Sequence, residues 1–150
     1  MKIHVRVNEK DREMEIQGSE TVYDILKSLN ITSVRKSCDT GVCGLCTVLL
    51  NGKPIPSCSY LAAKADGCSI TTIEGIEEEA ERFGKLMNEE GAVQCAYCSP
   101  SFVLAVVSMK DNLKSFDDES INRYLAGNLC RCSGYQVHLR AIKRYLGVIE

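Results

Sequence analysis

Cys38-Asp39-Thr40-Gly41-Val42-Cys43-Gly44-Leu45-Cys46 is the stretch on which this chain turns. Its three thiols follow the spacing C-x4-C-x2-C, and Cys58 stands beyond them as a separated fourth. Gly41 and Gly44 can take positive φ, so the backbone can curl around a central group and bring N–H groups close to sulfur. A second four lies downstream as Cys95-x2-Cys98 and Cys130-x-Cys132. Eight of the nine cysteines thus fall into two quartets. Cys68, left over in an apolar β-like run, is expected to be a buried structural cysteine.

The compartment decides what such thiols are for. No apolar leader core follows Lys2, and the longest apolar runs, 102–107 and 48–50, are far too short to span a bilayer. The expectation is a cytoplasmic protein with no membrane span. Thiols stay reduced there, and an odd cysteine count fits a disulfide framework poorly, so the quartets point to metal. The first quartet has the spacing of a plant-type [2Fe–2S] site and is a poor match for zinc. The second, taken alone, fits four-thiolate zinc nearly as well as iron–sulfur. The formal net charge is -2; two oxidised [2Fe–2S] clusters on eight thiolates would bring it to roughly -6. That acidity, with no basic strip, argues against a nucleic-acid partner. Arg35 and Lys36 are expected to be solvated surface charges, and His4 and His138 surface residues rather than ligands. No Ser/His/Asp set, phosphate loop or G-x-G-x-x-G is present, so no catalytic residue is assigned.

The flanking sequence divides in two. Ile3, Val5 and Val7 alternate with polar residues, and 12–16 returns with Met14 and Ile16 on one face, predicting a hairpin. Thr21 caps a helix with Val22, Ile25, Leu26 and Leu29 on one stripe. A second hairpin turns at Asn51-Gly52, and 68–73 is a last β-like run. This predicts a mixed α+β sheet domain over 1–75. From 76 to 150 the pattern is helical: a helix over 77–90 stopped by Gly91, one opened by Ser99 as N-cap and Pro100, one capped by Ser115 or Asp117 and ended at Gly127, and one over 136–146 with Val137, Ile142 and Tyr145 apolar. Cys95 and Cys98 then precede the second of these helices, whose positive end would face a negative cluster. Cys130 and Cys132 follow the third, so two loops would pinch one site.

Gly91-Ala92-Val93-Gln94-Cys95-Ala96-Tyr97-Cys98-Ser99-Pro100 and Ala126-Gly127-Asn128-Leu129-Cys130-Arg131-Cys132-Ser133-Gly134-Tyr135, taken with the first quartet, Asn51-Gly52 and Ser57-Cys58, resemble the iron–sulfur subunit of the molybdenum hydroxylases. That family includes xanthine dehydrogenase, aldehyde oxidoreductase and nicotinate dehydrogenase. The resemblance covers nearly the whole chain. It implies a β-grasp plant-type ferredoxin-like domain followed by a four-helix bundle. It implies two [2Fe–2S] clusters, an outer one on Cys38, Cys43, Cys46 and Cys58 and an inner one on Cys95, Cys98, Cys130 and Cys132. It further implies a large molybdopterin-binding partner subunit, with Gln94 and Cys132 facing the pterin, and an FAD-binding subunit that takes the electrons. Ala96 and Ser101 stand where the family usually has Gly, and Ser99 and Ser133 where it usually has Thr. The competing readings are a free-standing two-cluster ferredoxin and a zinc-stabilised interaction module.

Overall fold

The computed structural model describes residues 1–150. Strand β1 (Lys2–Val7) buries Ile3, Val5 and Val7 and exposes the residues between them. It pairs antiparallel with β2 (Lys10–Glu15) across a tight turn in which Asn8 and Glu9 both take positive φ. Strands β3 (Thr47–Leu50) and β4 (Lys53–Pro56) form the second hairpin, with Asn51 at φ 49° and Gly52 at φ 79°. Positive φ at both central residues is the primed-turn geometry that Asn-Gly favours. Strand β5 (Ser69–Thr71) joins the hairpins, parallel to β1 and antiparallel to β3, giving the order β2-β1-β5-β3-β4.

Helix α1 (Val22–Ser28) is fixed at its start by a capping box, in which Thr21 Oγ1 accepts from the Asp24 N–H and the Asp24 carboxylate accepts from the Thr21 N–H. It buries Val22, Ile25 and Leu26 in a core shared with Ile3, Val48 and Ile70. Strand β3 does not alternate: all four of its residues are buried. One face takes this core, and the other takes a helix from the second half.

That helix is α3 (Ser99–Asn112), the second of four after α2 (Glu77–Glu89) and before α4 (Asp118–Leu125) and α5 (Gln136–Tyr145). It lies between the β3–β4 hairpin and helices α2 and α4, and is therefore apolar on nearly every side. Phe83, Phe102, Met109, Ile121 and Ile142 meet in a second core, with Phe83 and Phe102 stacked at 6.3 Å. Burying each phenyl ring contributes about 2–3 kcal/mol.

Four expectations are corrected. Cys98, not Ser99, is the N-cap of α3: the first bond of the helix runs from the Phe102 N–H to the Cys98 carbonyl at 3.0 Å, so Ser99 already lies inside it. His138 is not a surface residue: it is only 2% exposed, on the inward face of α5, while Val137 is half-buried. Cys68 is half-buried rather than buried, its thiol turned toward the Asp66 carbonyl. Arg35 is not a free surface charge, for reasons given below. No helix is long and apolar enough to cross a membrane.

Candidate metal centres

The first quartet sits on the loop between α1 and β3. Gly41 and Gly44 take φ of 74° and 71°, so the loop winds around its own thiols. Cys58 comes from a single 3-10 turn, Ser57–Ser59, after β4. Buried Ser57 pins that turn, donating from both its backbone N–H (3.3 Å) and its hydroxyl (2.7 Å) to the Cys46 carbonyl. The result sets Cys58 beside Cys46 and Cys38 beside Cys43, each pair near enough for one thiol to act on the other. Cys38 is drawn down to about 6, first by its bond from Cys43 and then by backbone N–H groups that favour the thiolate.

The second quartet forms between two loops. Cys95 and Cys98 end the α2–α3 connection and meet the positive end of α3. Cys130 and Cys132 lie on the α4–α5 connection. Cys132 Sγ is 3.5 Å from Cys95 Sγ, and Cys130 lies near enough to Cys98 to act on its thiol. Burial, followed by that neighbour, pushes the Cys98 thiol up to about 12. Gln94 Nε2 donates to the Cys132 carbonyl at 3.3 Å on the exposed side of the site.

Each quartet thus brings its thiols close enough to act on one another, with Cys132 and Cys95 in direct contact at 3.5 Å. Four cysteine thiolates are the donor set of a [2Fe–2S] cluster.

The two sites are tied together. The Leu129 N–H, next to Cys130, donates to the Cys43 carbonyl at 3.0 Å. Buried Asn128 donates to the Gly44 carbonyl (3.3 Å) and the Thr47 hydroxyl (3.4 Å). A methyl group on Gly44 would lie 1.9 Å from the Gly127 carbonyl oxygen, so only glycine permits this approach. Arg35, three residues before Cys38, reaches across to donate to the carbonyls of Ala96 (2.9 Å) and Tyr97 (2.7 Å), its guanidinium 4.8 Å from the Tyr97 ring centre. Lys36 pairs with Asp39 instead. A groove of about 510 Å³ runs along the junction, lined by Cys43, Leu45, Tyr97, Leu129, Cys130 and Tyr135 among others. Its rim exposes Tyr97, Leu129 and Tyr135, and Val42 stands 63% exposed over the first quartet.

Sequence reasoning brought the eight cysteines and Gln94 to these places. It missed the roles of Arg35 and Asn128, whose partners lie 61 to 84 residues away, and of Ser57 and His138, whose partners are nearer; only the buried spacing of His138 with Ala141, Ile142 and Tyr145 carried a hint.

A family described as "2Fe-2S iron-sulfur cluster binding domain" matches residues 5–80, and one described as "[2Fe-2S] binding domain" matches residues 72–143. The chain is 36% identical to the nicotinate dehydrogenase small FeS subunit of Eubacterium barkeri, over 95% of this chain and 92% of that one. It is 42% identical to the xanthine dehydrogenase iron-sulfur-binding subunit of Escherichia coli O157:H7, over 79% and 77%. Among solved structures, quinoline 2-oxidoreductase from Pseudomonas putida 86 superposes with a TM-score of 0.84 at 31% identity, covering 95% of this chain and 90% of that one. Aldehyde oxidoreductase from Desulfovibrio gigas gives 0.89 at 29% identity, with 99% of this chain aligned to 17% of that longer one.

Proposed function

The chain belongs to the small iron–sulfur subunits of the molybdenum hydroxylases, and on that premise we propose that its paired thiols serve as a two-stop electron relay within such an enzyme. Cys38 with Cys43 and Cys46 with Cys58 hold the outer [2Fe–2S] cluster; Cys95 with Cys132 and Cys98 with Cys130 hold the inner one. Such clusters accept and release single electrons.

The observation that carries the reading is the junction between the sites. The Cys43 carbonyl and the Leu129 N–H link a residue of the first quartet to the neighbour of Cys130 through backbone bonds and one hydrogen bond. Asn128, Gly44 and Arg35 hold that junction at fixed spacing. The arrangement supports transfer in series rather than two unconnected structural clasps.

The exposed rim of Tyr97, Leu129 and Tyr135, with Gln94 and Cys132 beside it, is the face offered to a large molybdopterin-binding subunit. Gln94 and Cys132 approach the pterin there by hydrogen bonding. Val42 and Cys38 lie on the face offered to an FAD-binding subunit. This apolar rim, and relatives named as subunits, favour a partnered chain over a free-standing ferredoxin. Two separate cores support reading residues 1–75 as a β-grasp ferredoxin-like domain and 76–150 as a four-helix bundle. A cysteine-rich chain of this kind suits a reducing compartment, and the reading takes the cytoplasm as its location.

Affinity purification of the tagged chain from its native cell tests the reading. A large, molybdenum-containing chain should accompany it in fixed ratio. A monomer that carries iron but never recruits such a chain would favour the free carrier and contradict the proposal.

A further inference from the structure

His138 is the one buried ionisable side chain near the second quartet that is not a thiol. Its ring packs on Phe102 at a centroid distance of 4.4 Å. Burial disfavours its charged form. A neutral imidazole has one donor and one acceptor nitrogen, and with Nε2 carrying the hydrogen Nδ1 is the acceptor. Nδ1 lies 3.0 Å from Ser133 Oγ. The same Ser133 Oγ lies 3.4 Å from Cys130 Sγ and accepts the Tyr135 N–H at 3.2 Å. A serine hydroxyl has one hydrogen, and here two acceptors face it.

We propose that His138 is a positioning residue for the second site: it competes with the Cys130 sulfur for the single hydrogen of Ser133, and the outcome sets the reduction potential of the inner cluster. The inference rests on Cys130 being an inner-cluster ligand. Hydrogen bonds to ligating sulfur stabilise the more negative, reduced state and raise the potential. With the cluster bound and reduced, the added negative charge on Cys130 would draw the Ser133 O–H from His138 toward the sulfur. No covalent bond changes and no proton leaves the site. His138, packed on Phe102 and bonded to the Ser133 turn that follows Cys132, also fixes where Ser133 stands.

Potentiometric titration of the cluster-loaded full chain, followed by paramagnetic resonance, reads the effect. Ser133→Ala removes the hydrogen and should lower the inner-cluster reduction equilibrium about tenfold, which is 59 mV for a one-electron couple. His138→Leu removes the competitor and should shift the same signal upward. His138→Asn keeps an acceptor near the Nδ1 position and should return it toward the parent value. The double variant, Ser133→Ala with His138→Leu, should match Ser133→Ala alone, because no contested hydrogen is left. Equal potentials in the parent and Ser133→Ala would overturn the inference, even if the leucine variant fails to fold. So would shifts of His138→Leu and Ser133→Ala in the same direction, or a double variant equal to their sum. A parent protein lacking any second cluster signal would instead overturn the ligand assignment beneath it.

Discussion

Replacing Gly44 with alanine tests whether the two cysteine sites are held in contact by a glycine-only approach. Two costs add at this position. Gly44 sits at φ 71°, where an L-residue is strained by about 1–2 kcal/mol. The new methyl would meet the Gly127 oxygen at 1.9 Å, the Gly127 carbonyl carbon at 2.8 Å and Asn128 Cα at 3.0 Å, all of them backbone. Backbone cannot swing aside as a side-chain tip can, so the loops must part. Parting breaks the Leu129–Cys43 and Asn128–Gly44 hydrogen bonds, each worth about 1 kcal/mol net. The expected loss is therefore about 3–4 kcal/mol, with slower electron exchange between sites that each keep their own thiols. Gly52→Ala isolates the strain, since Gly52 has φ 79° but nothing within 4 Å of an added methyl, and should cost only about 1–2 kcal/mol. Gly127→Ala meets no atom within 4 Å and should be close to neutral. Urea titration of all three, with rapid-mixing reduction of the two clusters, makes the comparison. A Gly44→Ala protein no less stable than Gly52→Ala, with unchanged exchange between clusters, would refute the argument.

Other expectations follow from the same geometry. Ala96 stands at φ 57° between Cys95 and Cys98, so Ala96→Gly should relieve strain and raise the urea midpoint by about 1 kcal/mol equivalent; an unchanged or lower midpoint would contradict it. Arg35→Ala removes two carbonyl bonds and a cation–π contact across the junction, and should cost about 1–2 kcal/mol at this partly exposed site, measured by thermal unfolding. Cys95→Ser removes a proposed ligand between two helix-joining loops and should lower the melting point of the helical half together with its iron content, because metal binding and folding are coupled; retention of both in circular dichroism and metal analysis would count against it. Glu90 joins the end of α2 to Arg140 and Arg144 on α5, and its carboxyl is held below its ordinary value of 4.5, chiefly by Arg140. A depressed folded-state value gives stability that is present above the unfolded value and lost as pH falls through the folded one. The gap in melting temperature between the parent and Glu90→Gln should therefore be full near neutrality and close below about pH 4; a gap that widens on acidification would reverse the sign.

Much of the fold could be read locally. The Thr21/Asp24 capping box, the Asn51-Gly52 turn and the strand alternation at Ile3, Val5 and Val7 are signals written within a few residues, and the structure follows them. The C-x4-C-x2-C and C-x2-C spacings are local too, but which thiols meet is not: Cys58 returns to Cys46 across the β3–β4 hairpin, and Cys132 meets Cys95 from 37 residues away. What stayed hidden depends on distant neighbours. Arg35 looks solvated until the Ala96 and Tyr97 carbonyls arrive 61 and 62 residues later. His138 looks polar and external, but its helix face is decided by Ala141, Ile142 and Tyr145, and Ser133 gives its ring a hydrogen-bond partner inside. Strand β3 shows no alternation because α3 covers its second face, a fact about the other half of the molecule. Helix α3 starts one residue earlier than the Ser99-Pro100 signal indicates because the Cys98 carbonyl takes the first helical hydrogen bond, which spacing alone does not report.

The central claim is that the four sulfur pairs hold two separate two-iron clusters. Paramagnetic resonance of the dithionite-reduced full chain, on the same sample assayed for iron and acid-labile sulfide, tests it most directly. The account predicts two distinct signals of equal intensity, with about four irons and four sulfides per chain. One signal with half that iron, or a colourless protein carrying zinc, would contradict it.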